Sequence, residues 1–555
     1  MTHKEYRKNQ SQKRQRTVSR SFKEGSNEEV LLLDVKSLLQ KQKGSVLSND
    51  SGPESKEASS SDPSHNLPER FSEIEVEILE LSSSGDGLGV SSTSDHVYVV
   101  PFAVPGDVVQ AKAVHHFPKD QYTLTDFIKV IKPAPRRDDS LIKCPYFAKC
   151  AGCQIQMLPY DLQLEHKKSI VEKAFHNFSS LTPEAVPAVG DTIGSPMRYG
   201  YRTKLTPHFD GPPGSMSRKA KRDLSLRKGF TEVPPIGFML KGTRKTIDIE
   251  DCPIGTDAVR KGLQLERKKI AKEIAQYKKG ATILLRETTS RKPKATAHEK
   301  APPSDLAVKF DDNATKDGEL PLDGPATIDE PAVSKSPDAL DLPYTEEKSY
   351  ITDQRATSRE YIDDFELTNT AGAFFQNNNS ILPRFIAYIR EHIFPASNVD
   401  EPIPIKYLID AYCGSGLFTV TLASLFSSST GIDIAETSVA SARKNATINK
   451  IPNASFMQAD ARKLFQEITY PADKTVVIID PPRKGCDEAF LQQLLNFGPR
   501  RVVYVSCNVH TQARDVGILV EGRGSSKYRI ESLQGFDFFP QTGHVEGVAV
   551  LARSP

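Results

Sequence analysis

From about Tyr350 onward the chain alternates short apolar runs with helical stretches, and this alternation constrains the fold more than any other feature of the sequence. Tyr407-Leu408-Ile409-Asp410-Ala411 reads as a buried strand leading into Gly414-Ser415-Gly416, and Leu417 to Leu425 reads as the helix that follows. Gly431-Ile432-Asp433-Ile434 ends a second strand, with a helix over Ser438 to Asn449 behind it. Thr475 to Asp480 and Arg501 to Ser506 are two further apolar strands. Strands separated by helices form a parallel sheet, because each parallel pair needs a crossover and the crossover helices cover both faces. The expected class is therefore α/β, with a doubly wound, Rossmann-like domain over residues 371–555.

The rest of the chain is divided by composition. At 555 residues it is too long for one hydrophobic core, and 38% apolar residues is lean for a chain packed throughout. Residues 1–69 hold 13 Ser, and residues 288–345 hold eight Pro without apolar periodicity, so both are expected to lack packed structure. Within the first, only Val30 to Leu39 reads as a short helix, and the first 23 residues carry eight Lys or Arg against Glu5, a basic arm suited to phosphates or to a nuclear address. Glu73-Ile74-Glu75-Val76-Glu77-Ile78 alternates polar and apolar, and short Gly- and Pro-bounded strands continue to about Ile131, which predicts a small β-barrel over 70–135. A mixed α+β region over 140–370 carries a cysteine cluster. A net charge of +2 confines any nucleic-acid surface to a local patch. No run of 18 apolar residues exists to span a membrane, and the first thirty residues lack a signal-peptide core, so an intracellular protein is expected, in cytoplasm or nucleus with mitochondria also open. No obligate protein partner is evident in the sequence.

Gly-x-Gly after a strand is shared by several nucleotide sites. The dinucleotide fingerprint needs a third glycine to let helix and strand pack beside a pyrophosphate, and Gly414-Ser415-Gly416-Leu417-Phe418-Thr419 lacks it. Asp433 stands 19 residues after Gly414, placed to hold ribose hydroxyls, and Asp460 closes a third strand where an adenine edge would lie. Singly each acid could be a helix cap. Together, Asp410, Asp433, Asp460 and Asp480 at four successive strand ends fit S-adenosylmethionine better than a dinucleotide.

Asp480-Pro481-Pro482-Arg483 lies where such a domain meets its substrate, and Arg483 takes the place of the aromatic residue that amino-group methyltransferases tend to stack on a base. The next strand ends in Val505-Ser506-Cys507-Asn508, which puts a thiol at the cofactor crevice. Carbon 5 of a pyrimidine is a poor nucleophile until a thiolate adds at carbon 6 and turns it into an enolate carbon. The adduct must then lose its carbon 5 proton before the thiol leaves. His544 and Glu546, two apart and on one face of a strand, are both candidates for that base. The alternative for Cys507 alone is a small buried hydrophobe.

These residues resemble the RNA (uracil-5-)-methyltransferase family, through Ser506-Cys507-Asn508, Asp537-x-Phe539-Pro540-x-Thr542-x-His544-x-Glu546, Asp480-Pro481-Pro482-Arg483-Lys484-Gly485 and Phe374-Phe375-Gln376-Asn377-Asn378. The resemblance is closest to the fungal tRNA enzymes. It implies a class I S-adenosylmethionine methyltransferase domain, with Cys507 as nucleophile and Glu546, rather than His544, as base. It implies cofactor binding by Gln376, Tyr412, Asp433 and Asp480, with Asp460 a weaker candidate. The barrel resembles the OB-like TRAM domain, and Tyr199-Gly200-Tyr201-Arg202-Thr203-Lys204 resembles a central-domain motif that would contact RNA. The implied reaction is 5-methyluridine formation in RNA, most naturally at position 54 of the tRNA T loop, with rRNA as the alternative substrate. A 5-methylcytosine RNA methyltransferase is disfavoured, since Asp480-Pro481-Pro482-Arg483 lacks the Pro-Cys such enzymes usually carry. A catalytically idle RNA-binding or folding module is disfavoured because Cys507, Glu546 and Gln376 are all intact.

Seven Cys, an odd number, point to thiol or metal chemistry rather than disulfides. Cys144-x5-Cys150-x2-Cys153, followed by Cys252, could hold zinc or an iron–sulfur cluster. One tight loop plus one distant ligand is closer to a 4Fe–4S arrangement and resembles the bacterial rRNA branch of the family. Zinc and free thiols are the alternatives. Cys413 and Cys486 are expected to be structural.

Overall fold

The structure, a computed structural model, describes residues 22–49, 67–91, 94–212, 229–294, 343–394, 404–459, 465, 467–522 and 526–554. Within the stretch 1–69, the helix expected over Val30 to Leu39 is present and longer, as α1 spanning Asn27–Asn49, while residues 1–21 and 50–66 lie outside the described residues. Beyond it, β1 (Glu73–Leu81), β2 (Gly87–Ser91), β3 (Ser94–Val100), β4 (Val108–Phe117) and β5 (Tyr122–Lys132) close into a barrel of order β1-β2-β3-β5-β4. Val76, Ile78, Tyr98, Val100, Val109 and Ala111 fill its interior. The opposite side chains of the alternation, Leu88, Val97, Val99 and Tyr122, point outward and are covered by Leu32, Val35, Leu38 and Leu39 of α1. Each Leu or Val so buried contributes about 1.5–3 kcal/mol, so the helix is held by its apolar stripe against the barrel rather than by intrinsic propensity. Asp34 fastens it further, accepting the Ser83 backbone N–H at 2.7 Å and the Ser83 hydroxyl at 3.1 Å.

The middle of the chain is built from small pieces. α2 (Tyr160–Phe178) comes first, then β6 (Lys204–Leu205), β7 (His208–Phe209), β8 (Gly237–Met239) and β9 (Thr246–Asp248). α3 (Asp257–Glu273), β10 (Ala281–Thr282), β11 (Leu285–Pro293) and β12 (Tyr344–Ile351) follow. Val259, Leu263 and Ile270 of α3 pack on Leu205, Phe209, Ile236 and Leu285. The stretch expected to be unstructured over 288–345 begins and ends as a ladder: β11 and β12 pair antiparallel from Arg286↔Ile351 to Pro293↔Tyr344. The remainder of that stretch lies outside the described residues. β13 (Thr357–Ile362) and β14 (Phe365–Thr370) form a hairpin ahead of the last domain.

That domain carries α4 (Leu382–His392), β15 (Tyr407–Ala411), α5 (Leu417–Leu422), β16 (Ser428–Asp433), α6 (Glu436–Ile448), β17 (Ala454–Gln458), β18 (Thr475–Ile479), α7 (Glu488–Phe497), β19 (Arg501–Ser506), α8 (Val509–Glu521), β20 (Tyr528–Phe536) and β21 (Glu546–Arg553). The sheet order is β17-β16-β15-β18-β19-β21-β20, with β15 to β19 parallel and β21 antiparallel to both neighbours. The α/β expectation holds, and every loop at the carboxyl edge of the parallel strands opens on one crevice. One face of the sheet is covered by α4, α5 and α6 through Phe385, Ile389, Phe418 and Val439. The other is covered by α7, α8 and, from the middle of the chain, α2, whose Ile170, Val171, Ala174 and Phe175 pack with Ile409, Val477 and Tyr504. No helix among the described residues is long and apolar enough to cross a membrane.

Candidate active site

The crevice holds a cavity of about 540 Å³ bounded by Gln376, Tyr412, Gly414, Asp433, Asp480, Cys507 and Glu546. Each reaches it from a strand end: Tyr412 after β15, Asp433 at the end of β16, Asp480 after β18, Cys507 after β19, and Glu546 at the start of β21. The β15–α5 turn passes through left-handed backbone at Tyr412, Gly414 and Gly416, with φ of 67°, 54° and 89°. A Cβ at Gly414 would meet nothing within 4 Å, so its backbone faces open space, whereas one at Gly416 would stand 3.1 Å from Ala442 Cβ on α6. The first glycine leaves room for a ligand and the second lets the helices approach. Asp433 accepts the Gly414 N–H at 3.1 Å and the Ala435 N–H at 2.8 Å, which fixes its carboxylate beside the turn. An open glycine turn, a fixed carboxylate on the next strand and an apolar wall from Phe375, Leu417 and Phe418 suit an adenosine-bearing cofactor such as S-adenosylmethionine. Asp460, expected to join them, lies outside the described residues. Asp410 does not face the cofactor cavity; it is buried under the turn, accepting the Thr419 hydroxyl at 2.6 Å and N–H at 3.0 Å.

At the other end of the cavity the chemistry concentrates. Both carboxylate oxygens of Glu546 are buried and have no hydrogen-bond partner among the described residues. Burial, and then the neighbouring Asp480, push the Glu546 carboxyl well above the usual carboxylate range, against the pull of Arg483. Burial and Asp410 push Asp480 up to about 7. Burial, Glu546 and Asp480 push the Cys507 thiol up to about 12, and Arg483 pulls it down by charge and by hydrogen bonding. Arg483 is therefore more than a replacement for an aromatic residue. It is the cation of the site, with its backbone carbonyl held by the Asn508 amide at 2.9 Å and the Thr511 hydroxyl at 3.2 Å. Sequence reading had only the missing aromatic as a signal for it.

Cys507 also borders a second cavity, of about 370 Å³, on the side away from Gln376 and Asp433. Arg483, Asn508, His510 and His544 line it from the catalytic domain, Lys241 from the middle of the chain, Ser83 and Asp86 from the barrel, and Asn27 and Glu28 from α1. The thiol thus stands between the cofactor cavity and a more polar one built by every part of the chain. Burial lowers His544 to about 4, so its ring is neutral near pH 7. Alternate residues of the motif Tyr199 to Lys204 are turned inward: Tyr201 and Thr203 are buried, the Tyr201 hydroxyl donates to the Pro540 carbonyl at 3.1 Å, and the Thr203 N–H donates to the Asn377 carbonyl at 2.9 Å. It braces the two loops that carry Glu546 and Gln376. Cys413 and Cys486 are both buried, and Cys413 also lines the cofactor cavity.

The four clustered cysteines, Cys144, Cys150, Cys153 and Cys252, are brought to one further cavity of about 330 Å³. All four are free of disulfides. Among the described residues, however, no group of three or more His, Cys, Asp or Glu is arranged to hold a metal ion. The sulfurs share a cavity without forming a ligand set, so this geometry does not carry the expectation of an iron–sulfur cluster.

Sheet order, glycine turn, strand-end carboxylates and an adjacent thiol define a class I methyltransferase domain. Comparison with known proteins narrows this. The family model for tRNA (Uracil-5-)-methyltransferase matches residues 347–554. A Schizosaccharomyces pombe tRNA (uracil(54)-C(5))-methyltransferase is 42% identical over 97% of this chain and 85% of its own. The Saccharomyces cerevisiae protein of the same name is 38% identical over 86% of this chain and 73% of its own. Among solved structures, the Pyrococcus abyssi tRNA (uracil-54, C5)-methyltransferase bound to S-adenosyl-L-homocysteine shares the fold, with a TM-score of 0.54 at 24% identity over 86% of this chain and all of that one. The chain belongs to the tRNA (uracil-5-)-methyltransferase family.

Proposed function

We propose that this protein methylates carbon 5 of uridine 54 in the T loop of tRNA, through a covalent bond between Cys507 Sγ and carbon 6 of the base. The observation that carries the reading is the position of Cys507 between the cofactor cavity and the polar second cavity, with the buried, unpartnered Glu546 carboxylate at its side. Gln376, Tyr412, Asp433 and Asp480 would hold S-adenosylmethionine, which supplies an electrophilic sulfonium methyl when bound. The uridine enters from the second cavity, flipped out of its loop. Cys507 gives up its proton to solvent, and the thiolate bonds to carbon 6 as the carbon 5–carbon 6 π electrons move onto carbon 5 and the carbon 4 carbonyl oxygen, where Arg483 stabilises the anion. Carbon 5 would then take the sulfonium methyl group, the sulfur–methyl bond breaking to leave neutral S-adenosylhomocysteine. Glu546 then removes the carbon 5 proton, the carbon 5–carbon 6 double bond reforms, and the Cys507–carbon 6 bond breaks to return the thiolate. The barrel, whose Ser83–Asp86 loop borders the second cavity, is assigned to RNA contact as a TRAM-like domain. The relatives named for uracil 54 and the shared family support this substrate.

The test is nucleoside analysis of unmodified tRNA transcript incubated with the protein and S-adenosylmethionine. The expected product is 5-methyluridine, lost when position 54 is cytidine. Product on an rRNA hairpin but not on tRNA would move the enzyme to the rRNA branch, and methylcytosine would overturn the reading of Asp480 and Cys507. A second reading, an iron–sulfur cluster on Cys144, Cys150, Cys153 and Cys252, is favoured only by the four thiols at one cavity. Iron and sulfide analysis of anaerobically purified protein decides it, and absence of both ends it.

A further inference from the structure

We propose that Lys167, on α2, is a positioning residue for the catalytic loop and sets the Glu546 carboxylate for the proton-removal step. The inference rests on the role assigned to Glu546 above. Lys167 and Asp537 are both fully buried and form an ion pair at 2.6 Å. The same ammonium donates to the Phe539 carbonyl at 2.9 Å and to the His544 carbonyl at 2.7 Å. Its three protons are therefore matched by three acceptors, all in the segment that ends at Glu546. Two of them lie five residues apart, so a single nitrogen pins the Phe539–His544 excursion closed immediately before β21 begins. Asp537 is itself fixed by the Tyr160 hydroxyl at 2.8 Å and by the Phe539 N–H at 3.1 Å. One turn of α2 before Lys167, Gln163 exchanges two hydrogen bonds with Gln541, at 3.0 and 3.1 Å.

A buried ion pair is a costly way to hold a fold together; an apolar pair of similar volume is often as stable or more so. What the pair supplies is geometry. An ammonium with three fixed acceptors leaves the loop one arrangement, whereas an apolar contact would tolerate several. Glu546 needs that constraint because its own carboxylate makes no hydrogen bond among the described residues. Its position is inherited from the backbone, and the backbone is held by Lys167. The residue lies outside the segment 347–554 that the family model matches, on a helix whose apolar face merely looks like packing.

The test compares Lys167→Met with Lys167→Met/Asp537→Asn, the second avoiding an uncompensated buried carboxylate. Turnover, the KM for S-adenosylmethionine, thermal melting and the amount of denaturant-resistant protein–tRNA complex are measured in the full chain. A displaced base slows resolution of the adduct more than its formation. The expected result for the double variant is a kcat lower by about 10- to 100-fold, an S-adenosylmethionine KM within about twofold, and accumulation of covalent complex, with melting close to the parent. Parent-like turnover, slow turnover without trapped complex, or loss of fold in both variants would each overturn the proposal. Glu546→Gln is the control. If that variant traps complex and the Lys167 variants do not, only this inference fails; if Glu546→Gln does not trap it, the assignment of the base fails first.

Discussion

Arg483→Gln isolates the electrostatics of the nucleophile. The Cys507 thiol sits at about 12 because burial, Glu546 and Asp480 all oppose the thiolate, and Arg483 is the group that favours it. Glutamine keeps a donor of similar reach but removes the charge. A hydrogen bond to a charged group is worth about 1.5–3 kcal/mol, and each 1.36 kcal/mol is about tenfold, so the thiolate fraction at any pH should fall by about 10- to 100-fold. The same arginine faces the enolate oxygen in the proposed reaction, so the loss in rate should be at least that of the thiolate. The assay is single-turnover formation of the adduct on tRNA carrying 5-fluorouridine at the target, where carbon 5 has no proton to lose and the adduct persists. In the parent the rate should rise about tenfold per unit across roughly pH 7 to 9, since the nucleophile is the minor, deprotonated form there. The variant should keep that slope and lie about 10- to 100-fold below it, with tRNA affinity, measured separately, within about threefold. A parent rate independent of pH, or a variant rate equal to the parent's, would refute the role given to Arg483.

Cys507→Ala should abolish 5-methyluridine while leaving tRNA affinity within a few-fold, and Glu546→Gln should accumulate methylated protein–RNA complex on denaturing gels; free turnover in Glu546→Gln would move the base role to His544. Asp410 titrates at about 7, above its ordinary value, because burial outweighs its bonds from Thr419, so the native state keeps a proton that the unfolded chain releases. Its contribution to stability is thus full below the ordinary carboxylate pKa and is lost as pH rises through about 7, and Asp410→Asn should flatten the fall in melting temperature across that window. Val35 is fully buried between α1 and the barrel, so Val35→Asp should cost several kcal/mol, about 3–5, read as a lower melting temperature and protease cleavage within 27–49; an unchanged melt would mean that α1 is not docked.

What the sequence discloses here is what repeats locally. Strand ends with acids, a glycine turn and a thiol before a helix are each fixed by neighbours a few residues away, and they place Asp433, Asp480 and Cys507 correctly around one crevice. Helix α1 is less legible because its Ser-rich surroundings read as a tail, and its leucines acquire a partner only when the barrel turns Leu88 and Val97 outward. α2 looks like part of the middle of the chain and packs instead on the catalytic domain, where its Ile170, Val171, Ala174 and Phe175 join one core with residues of α8 and the sheet more than 230 positions later in the chain. Arg483 and Tyr201 sit in motifs the sequence shows, but what each touches is set by a distant loop, and Lys167 lies in no motif at all. The cysteines show the converse: close spacing brought four thiols to one cavity without making a ligand set.

The resting site is chemically quiet, and this bears on how it selects its substrate. At neutral pH the Cys507 thiol is held protonated by burial and by the neighbouring Glu546 and Asp480 carboxyls, burial and Asp480 hold the Glu546 carboxyl well above the usual carboxylate range, and Asp480 is near its midpoint. No free thiolate stands ready to meet other electrophiles from the cofactor side. In the proposed reaction a base entering from the second cavity passes Arg483 and Lys241, so the interactions that admit it also change the balance holding Cys507 in its thiol form. Because that cavity is walled by α1, the barrel loop, the middle of the chain and the catalytic domain together, only an RNA that satisfies all of them at once can bring a uridine to the sulfur. On the proposed mechanism, specificity and activation have a common origin: Cys507 would be made reactive by the same fit that identifies the loop.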